Sequence, residues 1–235
     1  MSMNWQTELL GDTAADHGKA MDRMYRFQRH FYDLSRRYYL LGRDRLLDDL
    51  RPPPNGTVLE IGCGTGRNLA GVAKRYHGAR IHGIDISQEM LKSAIAIMQR
   101  PGLAETARFA CVDATSFDAG SSLGLSHFDR VYFSYTLSMV PQWQKALAHA
   151  CTLLGRGGEL HVVDFGQCEN LSSGFRALLF RWLAAFHVTP RADLKAVLTR
   201  LADQHGLALK FTSRYGGYTW QAALTPKVAS QQPGR

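Results

Sequence analysis

The stretch VLEIGCGTGRNLA, residues 58–70, constrains the fold more than any other in the chain. Its apolar opening reads as a buried strand, and Arg67 onward reads as the start of a helix. Between them Gly62, Gly64 and Gly66 permit a tight turn with a backbone that a ligand can approach closely. The helix N-terminus adds positive partial charge at the same place. An ordinary strand-to-helix turn does not need three glycines at alternate positions. A dinucleotide fingerprint would require glycine where Arg67 stands, and the Gly-Lys-Ser/Thr of a phosphate-binding loop is absent.

The rest of the chain supplies the frame for this loop. A helical region over residues 21–50 is stopped by RPPPNG, where three consecutive prolines forbid further helix. Beyond it, TVLEIG, ARIHGIDI, ARFACVDA and DRVYFSY alternate with helical stretches, a β-α rhythm that favours a parallel sheet covered on both faces. LLGRGGELHVVDF reads as a helix end, a turn at Gly157 and Gly158, and a further buried strand. A helical insertion over 172–191 and the helix ADLKAVLTRLADQHG precede two last strands, LALKFTSRY and YTWQAAL. The expected organisation is a flexible leader over 1–20, a helical cap over 21–51, a main domain over 52–225 and a flexible tail over 226–235.

Composition narrows the setting. With 235 residues, 45% of them hydrophobic, the chain has enough apolar material for one core. A net charge of +8 suits nucleic acid, an anionic membrane surface or an anionic small substrate without choosing among them. Cys63, Cys111, Cys151 and Cys168 form no CxxC and no zinc-ligand spacing, and no His pair stands at i, i+4. The expectation is a reducing, cytoplasmic compartment and no metal. The N-terminus lacks the order of a secretion signal. The apolar run Ala177–Phe186 is broken by Arg181 and falls short of the roughly 20 residues a membrane span needs. Membrane contact is therefore expected to be peripheral.

Glu60 with Gly62, Gly64 and Gly66 resembles motif I of class I S-adenosylmethionine-dependent methyltransferases, E/D-x-G-x-G-x-G. The resemblance implies an α/β, Rossmann-like fold with a seven-stranded, mostly parallel sheet and helices on both faces, and S-adenosylmethionine as cofactor. It places the loop, with Cys63, against the amino acid part of the cofactor. Asp85 would accept from the ribose hydroxyls, Asp113 from the adenine amino group, and Ala114 would offer its backbone N–H. Ile86 and Ser134 complete the implied cofactor set. Taken singly, each aspartate reads more readily as a helix cap or a turn residue, since DIS and DATS both suit caps; together with the loop they are harder to explain that way.

The methyl acceptor is a separate question. SYTLSMV lacks the N/D-P-P-Y/W tetrad of enzymes that methylate exocyclic amines of nucleobases, which argues against a nucleic-acid acceptor. MDRMYRFQRHFYDLSRRYYLLGRDRLL resembles the N-terminal signature of the N-methyltransferases of betaine lipid synthesis, and SYTLSMVPQW and FHVTPRADL are similar to that family as well. The resemblance implies trimethylation of diacylglyceryl-homoserine to diacylglyceryl-N,N,N-trimethylhomoserine, with a lipid headgroup as partner.

The residues can be weighed against that chemistry. In-line transfer to an uncharged amine depends on positioning, and an α-amino group titrating near roughly 8 needs no strong base. Aromatic faces tolerate a cation that grows bulkier at each transfer. Tyr32, Tyr38, Tyr39, Tyr135, Phe165 and Trp182 are candidates, with Tyr32 and Tyr135 preferred at the pocket mouth; core packing is the alternative for each. A carboxylate would need an arginine fork. Arg36, Arg43, Arg176 and Arg191 qualify, with Arg43 favoured; it could equally hold the cofactor carboxylate. His187 could take the leaving proton or be a satisfied buried histidine. Arg176 and Arg181 on the 172–191 insertion could snorkel from a helix lying in the plane of a membrane, or the insertion could simply lid the pocket. The rival acceptors are phosphatidylethanolamine and a quinone ring. A non-catalytic protein that senses the cofactor and binds RNA or membrane is the rival of another class.

Overall fold

The computed structural model describes residues 40–103 and 107–227. Tyr32, Arg36, Tyr38 and Tyr39, most of the expected 21–51 cap, the 1–20 leader and nearly all of the 226–235 tail therefore lie outside the described residues.

Helix α1 spans Arg43–Leu50; it starts after Gly42, whose φ of 81° suits glycine, and buries Leu46, Leu47 and Leu50. The proline run then delivers the chain to β1, Thr57–Ile61, buried along its whole length, and the glycine loop leads into α2, Arg67–Arg75. Next come β2, Arg80–Asp85, and α3, Gln88–Met98, where the Ser87 hydroxyl caps the Met90 N–H. Strand β3 is Arg108–Cys111, and α4, Ala119–Leu123, is capped by Asp118. Strand β4, Phe128–Ser134, is followed by α5, Trp143–Thr152, and β5, Leu154–Phe165. Helices α6, Ser173–Ala184, and α7, Leu194–Gln204, precede β6, Leu207–Arg214, a 3₁₀ turn at Tyr215–Gly217 and β7, Thr219–Pro226.

The seven strands form one sheet in the order β3-β2-β1-β4-β5-β7-β6. Strands β3, β2, β1, β4 and β5 run parallel, whereas β7 is antiparallel to both of its neighbours. This is the Rossmann-like, mostly parallel sheet expected from the β-α rhythm. Because both faces are covered, alternate residues of a strand enter different cores. Leu59, Ile61, Val131, Phe133, Leu160 and Val162 pack under α4, α5 and α7. Val58, Tyr132, Val163 and Phe165 pack under α1, α2, α3 and α6.

Two expectations change. The turn at Gly157 and Gly158 lies inside β5: its pairing with β4 jumps from Phe128↔Leu154 to Arg130↔Glu159, and Gly157, at φ 78°, takes the bulge. The 172–191 insertion is helical only over Ser173–Ala184. It ends before His187, whose φ of 57° departs from the right-handed helix. Among the described residues no helix is long and apolar enough to cross a membrane, no cluster of His, Cys, Asp and Glu could hold a metal, and the four cysteines are free thiols.

Candidate functional site

The parallel strands end on one edge of the sheet, and the strand order reverses between β1 and β4, the place where open α/β sheets form a crevice. Strand register brings the candidates there together. Ile61 pairs with Ile84 of β2 and Phe133 of β4, Asp85 with Cys111, and Ser134 with Val163 of β5.

The glycine loop is shaped from below. Gly62 and Cys63 both donate their N–H groups to the Ile84 carbonyl at 2.9 Å, and Gly66 donates to Cys63 at 3.0 Å. Gly62, Gly64 and Gly66 all have positive φ, at 73°, 52° and 78°. Their surroundings differ. A Cβ on Gly66 would stand 2.8 Å from the Ala94 backbone, whereas one on Gly64 would meet nothing within 4 Å among the described residues. The loop is thus packed on its inner side and open at Gly64. Helix α2, which follows, has no side-chain cap, leaving its first N–H groups to an anionic ligand.

Asp85 anchors this loop: its carboxylate accepts from the Gly64 N–H at 2.8 Å and from the Ser87 N–H at 2.9 Å. The residue is half-buried. Asp113 accepts from the Thr115 N–H at 2.8 Å, and Asp113, Ala114 and Ile86 are half-buried beside it. Neither aspartate caps a helix, since Ser87 caps α3 and Asp118 caps α4; both accept from the N–H two residues on, as turn residues do, and the ligand reading is compatible with that geometry. Among the described residues, the Ser134 hydroxyl and the Gln167 side-chain nitrogen are buried with no hydrogen-bond partner. A polar ligand at the carboxyl edge would relieve the cost of such orphans. The open glycine cradle, the carboxylates on adjacent strands and these orphans fit S-adenosylmethionine.

Other candidates prove to be structural supports. Glu60 is 1% exposed; it accepts from the Asn68 side-chain amide at 2.7 Å and from the Tyr132 hydroxyl at 3.0 Å. Burial pushes its carboxyl up from 4.5 to about 8, with the two hydrogen bonds and the Arg43 charge opposing. It holds the loop from behind, joining β1, β4 and α2, and does not present a free carboxylate. Cys63 is buried, desolvation pushes its thiol well up, and its N–H is spent on the Ile84 carbonyl.

Tyr135, expected at the pocket mouth, is 4% exposed. Its hydroxyl donates to the Leu41 carbonyl at 2.6 Å and lies 2.9 Å from the Thr219 hydroxyl, while its ring meets Phe165 edge-on at 4.7 Å. It ties the entry of α1 to β7. Gln221 completes that tie by donating to the Gly42 carbonyl at 3.0 Å. These contacts fix the start of α1, and Arg43 there is close enough to act electrostatically on both Glu60 and Tyr135.

Arg191, expected to bind substrate, is occupied by protein carbonyls. Its Nε donates to Leu137 at 3.0 Å and its Nη2 to Val140 at 2.9 Å, and the guanidinium lies 5.9 Å from the Trp143 ring centroid. It clamps the loop after β4. Sequence reasoning missed the second member of this clamp, Asp164, which is buried and accepts from the Ser138 N–H at 3.2 Å and the Phe165 N–H at 2.8 Å. Burial pushes its carboxyl up to about 6. Only its position at the end of VVDF, inside an apolar strand, could have marked it. Phe165 is buried between Tyr135 and Tyr218. His187 is exposed, which excludes the satisfied buried histidine, and Trp182 is 38% exposed on α6 beside Phe186.

Residues 58–158 match the family model described as a methyltransferase domain. The chain is 28% identical over 165 residues to a norajmaline N-methyltransferase of Rauvolfia serpentina, covering 68% of this chain and 48% of that protein. It is 30% identical over 109 residues to a phosphatidylethanolamine N-methyltransferase of Cereibacter sphaeroides, covering 46% of this chain and 50% of that one. The chain thus spans about half the length of these curated relatives. Among solved structures, magnesium protoporphyrin IX methyltransferase from Synechocystis PCC 6803 with bound SAH superposes with a TM-score of 0.61 at 18% identity, covering 88% of this chain and 99% of that one. Residues 58–158 thus match a methyltransferase domain, on a fold shared with a methyltransferase solved with bound SAH.

Proposed function

We propose that the protein methylates the amino group of diacylglyceryl-homoserine, three times in succession, to give the betaine lipid diacylglyceryl-N,N,N-trimethylhomoserine. The observation that carries this reading is Arg43. It belongs to the N-terminal signature that resembles the betaine lipid enzymes, and Tyr135 and Gln221 pin the start of α1 beside the carboxyl ends of β4 and β5. A cation held there suits an acceptor that carries a carboxylate next to its amine.

When bound, S-adenosylmethionine supplies a methyl group on a positively charged sulfur. The protein's own contribution is then placement. The glycine loop and Asp85 set the position of the donor, and the loop held by Arg191 and Asp164 sets the wall after β4. The described site offers no strong base, and an uncharged amine requires none. Tyr32 and Tyr38, outside the described residues, are retained as lining residues, and Arg36 as a further cation for the headgroup.

Phosphatidylethanolamine is the second reading, favoured by the 30% identity over 109 residues to an enzyme named for that lipid. Labelled methyl from S-adenosylmethionine, supplied with either lipid in detergent micelles, separates the two. We expect mass increments of one, two and three methyl groups on the homoserine lipid. Label confined to phosphatidylethanolamine would replace the first reading with the second. Cofactor binding without transfer to any lipid would leave a sensor on a methyltransferase fold.

A further inference from the structure

Helix α6 is at odds with the rest of the molecule. Its sequence, SGFRALLFRWLA, is mostly apolar, yet only Leu183 of its 12 residues is buried. Leu179 and Phe180 reach the core partially, while Phe175 is 46%, Leu178 69% and Trp182 38% exposed. Phe175 and Leu178 stand at i and i+3, so they share one face, whereas Trp182 packs on Phe186. Tyr215, 54% exposed, adjoins the N-terminal end of the helix, because the Gly216 carbonyl accepts from the Asn170 N–H at 3.0 Å. A contiguous apolar face of this kind is costly in water unless something covers it.

Charge selects what covers it. From Asn170 to Ala192 the chain has no acidic residue, and it carries Arg176, Arg181 and Arg191. Arg191 is engaged with the β4 loop. Arg176 and Arg181 lie on α6 itself, and both are exposed. Arg181, three residues after Leu178, flanks the exposed face, while Arg176 sits toward the N-terminal end on the side of the buried Leu183. A long cationic side chain beside an apolar face is the arrangement of a helix lying in a lipid interface, and the +8 net charge of the whole chain adds long-range attraction to an anionic surface.

Position completes the argument. Phe186, just past α6, packs with Met90 and Met139, and the Thr189 N–H bonds to the Ser138 carbonyl at 2.9 Å. Helix α6 therefore borders the loop after β4, at the carboxyl edge that holds the cofactor site. We infer that α6 is a membrane-docking element: the face formed by Phe175 and Leu178 enters the headgroup region of an anionic bilayer, with Arg181 on lipid phosphates and Arg176 adding charge at the N-terminal end of the helix. A lipid acceptor would then reach the site without leaving its bilayer. The inference rests on the lipid reading above only for this purpose and is independent of which headgroup is methylated.

The test is co-flotation of the full chain with vesicles of phosphatidylglycerol and phosphatidylcholine in equal parts, against vesicles of phosphatidylcholine alone. The wild type is expected to float with the first and far less with the second. Phe175→Ser combined with Leu178→Ser should lower the bound fraction by about a hundredfold in partition coefficient. Arg176→Gln combined with Arg181→Gln should cost about tenfold on the anionic vesicles only. Both doubles should melt at the wild-type temperature, since the replaced side chains are exposed.

A wild type that stays at the bottom of the gradient overturns the inference, as do doubles that float as well as wild type. A failure to float, joined with a serine double that melts far lower, would assign the cover to another segment of this chain; joined with a serine double that alone turns a dimer into a monomer, it would assign the cover to a second copy. Methyl transfer in micelles keeps the two proposals apart. Transfer without flotation removes only the docking role, and flotation without transfer to any lipid removes only the acceptor.

Discussion

Glu60 retains its proton at a pH where an ordinary carboxyl has lost it, because burial between β1, β4 and α2 disfavours the charged form. The folded protein binds that proton from pH 4.5 up to about 8, whereas the unfolded chain gives it up near 4.5. This contribution to stability is therefore full at low pH and is lost as pH rises through 8. Asp164 acts in the same direction in a lower window, between 3.8 and about 6. Thermal melting of the wild type is expected to fall from pH 6 to 9, and Glu60→Gln should flatten that fall; parallel curves would contradict it. Asp85 has a different role, since its oxygens anchor Gly64 and Ser87. Asp85→Ala should weaken S-adenosylmethionine binding by about tenfold or more in titration calorimetry, the scale of a lost hydrogen bond to a charged group. Unchanged affinity would remove the assignment. The placement of the glycines and both aspartates at the ends of strands was legible because spacing and backbone requirements are local. The burial of Glu60 was not, since its partner Tyr132 lies 72 residues away.

At the scale of elements, the site depends on two fastenings. The loop after β4 is held by Arg191 through a forked set of donors that a lysine does not reproduce. Arg191→Ala should cost about 2 kcal/mol in urea unfolding, the scale of buried carbonyls left unpaired, and Arg191→Lys should recover only part of that; full recovery would show that charge alone suffices. Helix α1 is fastened by Tyr135 to the Leu41 carbonyl and by Gln221 to Gly42. In Tyr135→Phe, amide exchange over residues 43–50 should quicken while β1 and β4 remain protected. Equal protection would mean that packing of Leu46, Leu47 and Leu50 holds α1 unaided. The sequence marked Tyr135 and Arg191 as residues with chemistry to perform. Their hydroxyl and guanidinium are consumed by backbone groups brought near by topology, and single-residue character cannot anticipate that.

Across the whole molecule, β7 runs antiparallel between β5 and β6 and closes the half of the sheet beyond the site. A chain ending after Gly206 would leave the edge of β5 from Leu160 to Phe165 without partners. Such an edge is prone to pair with other chains. This truncation should lose its cooperative thermal transition and aggregate, whereas a soluble, cooperatively melting product would show that the parallel strands stand alone. The order of strands and helices, the cradle at Gly62, Gly64 and Gly66, and the carboxylates at the ends of β2 and β3 were determined by the sequence itself. Glycine conformation, proline stops and apolar periodicity act over a few residues, so they can be read there. Only the tertiary structure decided which polar groups remain available to a ligand, because availability depends on contacts between residues tens of positions apart. It likewise decided that α6 turns an apolar face outward, since the same run of residues could have been buried had the sheet offered it a place.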